Sequence, residues 1–217
     1  MEWPRIQAFA RNRLGPFEEH LTSGPGDATR AAGEQLRRGA ERIICVGGDG
    51  TLNEVVNGLV GDDGRIPAGV VVGFIPNGTG CDFVRTNSIP RGIDDCLSFI
   101  SEGRTRCLDL GRLTFRDHRG ATAVCYFHNI ASFGIGGEVV ARVNRTSKAF
   151  GPFASFMWGT LLSLILYGTK RVRIRIDDGP ETECPVWNIA VANGRYHGGG
   201  MCVAPAAMTD DGLLHVT

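Results

Sequence analysis

The chain has 217 residues, of which 42% are hydrophobic, and its 23 Lys and Arg residues balance its 23 Asp and Glu residues. This length and hydrophobic content suffice for one large domain or two small ones, and the neutral net charge argues against nucleic acid or another polyanion as a partner. Seven cysteines, an odd number without a C-x-x-C pair, predict free thiols and a reducing compartment.

The first half of the chain predicts helices that alternate with buried strands. The opening "MEWPRIQAFARNR" is amphipathic and lacks the apolar region of a signal peptide. Asp27 precedes alanines and a leucine at helical spacing, so we expect it to be a helix N-cap. The apolar run "RIICVGG" then predicts a strand that is buried on both faces.

The stretch "VGGDGTLNE", from Val46 to Glu54, places an acid among three glycines, and a helical pattern follows it. A second apolar run from Ala68 to Pro76 is followed by "NGTGCDF", and a further helix is predicted from Ile93 to Ile100. Strands that alternate with helices indicate an α/β fold with a parallel sheet.

After about residue 109 the pattern changes to strands with few helices. In "KRVRIRIDDG" the apolar residues alternate with Arg171, Arg173 and Arg175, which predicts a half-exposed antiparallel strand with "VWNIAVANG" as its neighbour. The arginines are expected to form a solvated face, and contact with an anionic membrane is the alternative. We therefore predict an α/β domain over residues 1–109 and a mostly antiparallel β domain over residues 110–217.

The most apolar stretch of the chain runs from Phe153 to Gly168. It is shorter than the ~20 residues that a membrane-spanning helix needs, so it predicts a buried helix rather than a transmembrane segment. A helix that touches a membrane surface is the alternative.

The two glycine-bearing loops share one design, because each follows a strand and continues into T-x-x-E or T-x-x-D. Thr51 to Glu54 and Thr79 to Asp82 are both predicted to be capping boxes at helix N-termini. Glycine loops at helix N-termini bind phosphate through backbone N–H groups, and Asp49 inside such a site implies Mg²⁺. The alternative is two tight turns without a ligand. Neither loop is a Walker P-loop or a dinucleotide fingerprint.

Together, "GGDGTLNEVVNGL" and "IPNGTGCDFVR" resemble the catalytic domain of the diacylglycerol kinase family, and in particular its bacterial soluble lipid kinases, which are related to sphingosine kinases. The first motif alone is also similar to NAD kinases. The later segments "NIASFGIGGEV", "VANGRYHGGGM" and "VAPAAMTDDGLLHV" resemble the same lipid kinases. The resemblance implies a parallel-sheet nucleotide-binding domain followed by an antiparallel β-sandwich that takes the lipid.

The family's ligands and site residues carry over as expectations. The resemblance implies ATP as phosphoryl donor, Mg²⁺ and a lipid hydroxyl as acceptor. We expect Asp49 to be the catalytic residue, which either orients Mg²⁺ or accepts the proton of the acceptor hydroxyl. The resemblance implies that nucleotide is contacted by Thr22, Gly48, Asp49, Gly50, Thr51, Leu52, Asn53, Glu54, Gly78 and Thr79. It implies a structural Mg²⁺ at the Asp211 side chain and the carbonyls of Met208 and Leu213, where the letters "TDDG" alone predict a turn.

The resemblance also implies a first strand and a carboxyl-terminal part with a general-base Glu, and neither is found in these 217 residues. The chain is therefore expected to be a fragment. The alternatives to a lipid kinase are an NAD kinase-like enzyme and a catalytically inactive nucleotide-binding module. A cytoplasmic location with peripheral membrane association is expected, and a homodimer is compatible with the sequence.

Overall fold

The computed structural model describes residues 3–134 and 168–217, which belong to two compact units. One unit comprises residues 1–129 with 193–214, and the other comprises residues 130–192 with 215–217. The boundary near residue 110 stays a prediction of the sequence. The apolar stretch from Phe153 lies outside the described residues, apart from Gly168 at its end. Within the described ranges, no helix is long and apolar enough to cross a bilayer.

The first unit contains two parallel strands with helices before, between and after them. Strands β1 (Arg42–Gly47) and β2 (Val71–Pro76) pair in parallel along their whole length, which confirms the parallel arrangement that the sequence predicts. The helices are α1 (Trp3–Leu14), α2 (Asp27–Arg37), α3 (Asp49–Leu59), α4 (Asp82–Asn87) and α5 (Ile93–Ser101).

Helices cover both faces of this sheet. On one face, Cys45 and Phe74 pack in a core cluster with apolar residues of α2 and α3. On the other face, Ile75 packs with apolar residues of α1 and α5. Burial raises the pKa of the Cys45 thiol to about 12, so this cysteine acts as a small apolar residue. Two covered faces explain why both strands are continuous apolar runs in the sequence.

Helices α2 and α3 cross at Gly58, where only a glycine fits. A Cβ atom on Gly58 would lie 2.2 Å from the carbonyl oxygen of Thr29 and 3.0 Å from the Cβ of Ala32. We expect Gly58→Ala to lower the free energy of unfolding by ~3 kcal/mol, because the two helices must move apart. Chemical denaturation measures this change.

Gly50→Ala is the matched control for Gly58→Ala. Gly50 lies in the same helix, and a Cβ atom there would meet nothing within 4 Å. The control is expected to keep its stability or to gain up to ~1 kcal/mol from helix propensity. Equal stability of the two variants would show that the helix crossing tolerates a methyl group.

Two antiparallel hairpins complete the first unit. Strand β3 (Gly111–Arg116) pairs with β4 (Thr122–Phe127), and β9 (Tyr196–His197) pairs with β10 (Met201–Cys202). The turn of the second hairpin consists of three consecutive glycines, residues 198–200, whose φ angles are 64°, 88° and 114°. Only glycine adopts such a run of left-handed conformations without strain.

The described part of the second unit is antiparallel. Strand β8 (Asn188–Ala192) lies between β5 (Ile130–Gly134) and β11 (His215–Val216). Strand β6 (Lys170–Ile174) forms a hairpin with β7 (Thr182–Val186).

The strand predicted in "KRVRIRIDDG" is confirmed as far as Ile174, but its predicted neighbour was wrong. Of "VWNIAVANG", only Val186 pairs with β6, as the last residue of β7, and residues 188–192 form β8. Strand β6 pairs with the segment that directly follows its own turn. The arginines of β6 face glutamates across this hairpin, with Arg171 3.3 Å from Glu183 and Arg173 3.6 Å from Glu181. These exposed ion pairs offset much of the positive charge on this strand.

Candidate functional site

The two glycine-bearing loops touch each other at the carboxyl ends of β1 and β2. The N–H of Asn77 donates to the carbonyl of Gly47 at 2.7 Å, so the strand pairing continues into the loops. A Cβ atom on Gly78 would lie only 2.5 Å from the Cα of Gly48. Glycine at position 78 is therefore required by the close approach of the loops.

Asp49 links the first loop to the second. Its carboxylate accepts hydrogen bonds from the backbone N–H groups of Asp82 at 2.9 Å and Phe83 at 3.1 Å, one on each oxygen. These are the first two N–H groups of α4, which have no partner inside that helix. The acid among the glycines thus caps the neighbouring helix, and its negative charge lies at the positive end of that helix.

Both predicted capping boxes were wrong. Helix α3 already begins at Asp49, so Thr51 lies in its first turn, against Gly47, and Glu54 instead accepts the N–H of Ala28 at 3.2 Å. The N-cap of α4 is Cys81, which makes no side-chain cap hydrogen bond. Carboxylates of α3 instead accept hydrogen bonds at the N-termini of two other helices, Asp49 at α4 and Glu54 at α2.

The prediction that Asp27 is an N-cap was also wrong, because α2 begins at Asp27 and its N-cap is Gly26. The Asp27 carboxylate accepts the N–H of Ser23 at 2.9 Å, and it lies 3.1 Å from Nε2 of His20. The Ser23 N–H, followed by Arg30 and His20, holds the pKa of Asp27 well below its usual range. These contacts fix the loop that carries Thr22.

Asp82 holds a third glycine segment at the site by a hydrogen bond. The sequence analysis did not predict this role. It is buried, and its Oδ2 accepts the N–H of Gly199 in the three-glycine turn at 2.8 Å. Its Oδ1 has no hydrogen-bond partner in the described part of the chain and lies 3.5 Å from Nε of Arg85. The sequence signal that could have revealed this role is the position of Asp82, an acid directly before the apolar residues Phe83 and Val84.

Two carboxylates lie near one position beside Gly80. A Cβ atom on Gly80 would lie 3.8 Å from Oδ2 of Asp49, 3.7 Å from Oδ2 of Asp82 and 3.8 Å from the Cα of Gly199. Carboxylate oxygens with unused lone pairs fit Mg²⁺, which keeps several water ligands. The described residues contain no cluster of three or more acidic, His or Cys side chains, so water would supply most of the ligands.

The other residues of the first predicted loop divide into two groups. Leu52 is buried in the core with 3% of its surface exposed, and Asn53 and Glu54 bond to neighbouring elements. Gly48, Gly50 and Thr51 remain at the surface of the loop or partly buried there. The nucleotide contacts predicted for both groups stay predictions.

The remaining predicted contacts lie on exposed segments. Thr79 is exposed in the second loop, and Thr22 is exposed in the segment before α2. Thr22 and Thr51 line the same cavity beside β1. The nucleotide contacts predicted at Thr22 and Thr79 stay predictions.

The predicted second metal site is a turn in the structure. Oδ1 of Asp211 accepts the N–H of Leu213 at 3.0 Å, and Asp109 accepts the N–H of Gly212 at 2.7 Å. Met208 and Leu213 have exposed side chains. A metal ion at Met208, Asp211 and Leu213 stays a prediction.

His128 is a buried neighbour of the site that no sequence pattern indicates. Its Nδ1 lies 3.3 Å from Oδ1 of Asn53, and its ring packs edge-on against Phe83 with centroids 4.8 Å apart. Burial lowers the pKa of His128 to about 4, and the Asp49 carboxylate opposes this shift more weakly. The imidazole is therefore neutral in the folded protein at pH 7.

The lowered pKa of His128 predicts that stability falls in mild acid. The unfolded histidine, with a pKa of ~6.5, binds a proton that the folded one rejects, so stability is complete above pH 6.5 and is lost towards pH 4. A shift of this size corresponds to ~3 kcal/mol. Urea denaturation between pH 7 and 4 is expected to show a loss that is absent in His128→Asn and retained in the exposed control His118→Asn. An equal loss in His128→Asn would assign it to other groups.

Comparison with known proteins places these observations in a family. The sequence model of the diacylglycerol kinase catalytic domain matches residues 1–113, and that of the YegS C-terminal NAD kinase beta sandwich-like domain matches residues 129–217. These matches confirm the predicted fold class, an α/β domain with a parallel sheet followed by an antiparallel β-sandwich.

Relatives and solved structures agree with these matches. The chain is 30% identical over 207 residues to a protein of Cronobacter sakazakii and 33% identical over 215 residues to one of Xanthomonas euvesicatoria, both named "Probable lipid kinase YegS-like". Each alignment covers 95% of this chain and 65% of the relative, so the chain spans about two thirds of their length.

A crystal structure of a diacylglycerol kinase from Bacillus anthracis superimposes with a TM-score of 0.63 at 28% identity, over 90% of this chain and 59% of that one. The two family models, the relatives at 30% and 33% identity and the solved structure all agree. The chain belongs to the diacylglycerol kinase catalytic-domain family.

Proposed function

We propose that this protein is a lipid kinase that transfers the γ-phosphoryl group of ATP to a lipid hydroxyl, with diacylglycerol or a related lipid as acceptor. The observation that carries the proposal is the contact between the two glycine loops, in which Gly48 meets Gly78 and Asp49 caps α4. The names of the relatives favour a lipid acceptor over NAD.

The loops supply the positioning and charge stabilisation on which phosphoryl transfer depends. Backbone N–H groups at Gly48, Gly50 and Thr79 are the proposed phosphate contacts, together with the hydroxyls of Thr22 and Thr51. Mg²⁺, when bound, would neutralise charge on the phosphates, and Asp49 and Asp82 are the residues that would hold it through water. Asp49 also keeps the two loops in register.

The proposal assigns nucleotide binding to residues 1–109 and the lipid to residues 110–217. It includes a cytoplasmic location with peripheral association at a membrane surface, where the acceptor lipid resides. The identity of the lipid follows from the acceptor experiment and not from the loops, because acyl-chain pockets consist of ordinary apolar side chains.

The test is transfer of radiolabelled γ-phosphate to an acceptor. A longer protein that adds the first strand and the carboxyl-terminal part implied by the resemblance is offered, with Mg-ATP, diacylglycerol in mixed micelles, sphingosine in the same micelles, and NAD in solution. Labelled phosphatidate is the expected product. Labelled NADP would favour the NAD kinase-like enzyme, and nucleotide binding without transfer to any acceptor would favour the inactive module.

A further inference from the structure

His128 is a buried ring between α3 and α4, and the proposed function leaves it without a role. Only 5% of its surface is exposed. Its Nδ1 lies 3.3 Å from Oδ1 of Asn53 on α3, and its ring packs edge-on against Phe83 of α4. Both neighbours lead to Asp49, because Asn53 lies one turn after it on α3 and the N–H of Phe83 donates to its carboxylate. From inside the protein, His128 therefore contacts the residues that flank Asp49.

The surroundings of the imidazole decide which of its nitrogens carries the proton. Burial lowers the pKa of His128, so the ring is neutral at pH 7 and has one N–H and one bare nitrogen. Nε2 is buried and has no partner in the described part of the chain, whereas Nδ1 faces the oxygen of the Asn53 amide. A proton on Nε2 would leave an unpaired donor in the interior, which folded proteins avoid. The proton therefore belongs on Nδ1, which donates to Asn53.

A donor at Nδ1 fixes the orientation of the Asn53 side chain. The amide oxygen is turned towards the imidazole, so the NH₂ group is turned away from it. Among the described residues this NH₂ group has no hydrogen-bond partner, and it is not fully buried. Without the imidazole the amide is free to rotate by half a turn and present its oxygen instead, because its two ends have nearly the same shape. His128 thus decides whether Asn53 offers a donor or an acceptor.

A donor at Asn53 suits a phosphate. The oxygens of a nucleotide polyphosphate accept hydrogen bonds, and a bond from an amide N–H to a charged oxygen is stronger than one between neutral groups. An amide oxygen in the same place would repel the phosphate. Asn53 follows Asp49 by one turn of α3, so it is close along the helix to the proposed phosphate contacts at Gly50 and Thr51.

We propose that His128 is a positioning residue, which holds the Asn53 amide by a hydrogen bond from Nδ1 so that the NH₂ group donates to a phosphate oxygen of the bound nucleotide. The ligand in this proposal rests on the proposed function, whereas the hydrogen bond and the orientation of the amide do not. A role in packing alone needs only a ring of similar size, but a positioning role needs the donor at Nδ1.

The first test determines the tautomer of His128 in the free chain. Long-range ¹H–¹⁵N spectra of the ¹⁵N-labelled chain at pH 7 distinguish a protonated imidazole nitrogen from a bare one, and the signals that disappear in His128→Phe assign the ring. A proton on Nδ1 and a bare Nε2 are expected. A proton on Nε2 would overturn the proposal, because Asn53 would then have to face the ring with its NH₂ group.

Two substitutions separate the hydrogen bond from the packing. His128→Phe keeps a ring, removes the donor and also removes a buried nitrogen without a partner. It is expected to resist urea at least as well as the wild-type chain, yet to bind Mg-ATP about tenfold more weakly in isothermal titration. His128→Asn keeps an N–H donor near the position of Nδ1 and is expected to restore most of this affinity. A merely structural histidine would lose affinity only where stability is lost.

A double-mutant cycle shows whether His128 acts through Asn53. Asn53→Ala alone is expected to weaken Mg-ATP binding by about tenfold, and His128→Phe should then add no further loss, because the amide that it orients is gone. His118→Phe, at an exposed position, is the control and should change neither affinity nor stability.

The outcomes of the titrations distinguish two kinds of failure. A wild-type chain that does not bind Mg-ATP would overturn the proposed function and, with it, the phosphate ligand of Asn53. Binding in the wild-type chain with equal affinity in His128→Phe would overturn the role of His128 alone. Additive losses in the cycle would also overturn it, since they would show that His128 and Asn53 act independently.

Discussion

Gly78→Ala is expected to abolish nucleotide binding while leaving most of the fold intact. The added Cβ would lie 2.5 Å from the Cα of Gly48 and 3.2 Å from its backbone nitrogen, so the two loops must separate by about 1 Å. A displacement of that size removes the backbone N–H groups from their common target. Isothermal titration with Mg-ATP is expected to show at least a hundredfold weaker binding, equivalent to ~2.8 kcal/mol.

The matched control for Gly78 is Gly24→Ala. A Cβ atom on Gly24 would meet nothing within 4 Å, and its φ angle is not in the left-handed region. This variant removes a glycine near the site without a steric clash and should bind nucleotide like the wild-type chain. Unchanged affinity in Gly78→Ala would mean that the loop contact is not part of a nucleotide site.

Asp49→Asn is expected to weaken both the loop junction and any phosphoryl transfer. Asparagine keeps one acceptor oxygen but presents an NH₂ group to the second N–H donor, so either Asp82 or Phe83 loses its partner. Loss of one such bond to a charged acceptor costs ~1–3 kcal/mol. The transfer rate to a lipid acceptor should fall by orders of magnitude, because the loops and the site for Mg²⁺ depend on the same carboxylate.

Asp62→Asn controls for the loss of one negative charge. Asp62 is exposed in the turn after α3, well outside the two loops along the chain. It should retain wild-type stability and activity. If Asp49→Asn behaved like this control in both denaturation and transfer, Asp49 would have neither role.

The α/β elements of the first unit could be predicted because each is decided by its own residues. The run at β1 is apolar from Ile43 to Val46, and Leu52, Val55, Val56 and Leu59 fall on one face of α3 and are all buried. The helix N-termini could not be predicted, because distant carboxylates decide them. Asp49 serves a helix that begins 33 residues later, and Glu54 serves Ala28, 26 residues earlier.

The two loops of the candidate site could be predicted from the sequence, but the hydrogen bonds that connect them to other segments could not. Motif spacing identifies Gly48, Asp49 and Thr79, yet it contains nothing about the bond between Asp82 and Gly199, which are 117 residues apart. The same limit applies to β6 and β8, because alternation identifies a strand but leaves its neighbour open.

The central claim is that the two joined loops form a nucleotide site, and a thermal melt with Mg-ATP tests it most directly. At about a hundred times the dissociation constant, bound nucleotide adds ~2.7 kcal/mol, which raises the Tm of a chain of this length by roughly 5–10 °C. We expect this rise in the wild-type chain and in Asp62→Asn, and we expect it to be absent in Asp49→Asn. A cooperative melt of the wild-type chain without any shift, or a shift that Asp49→Asn retains in full, would contradict the claim.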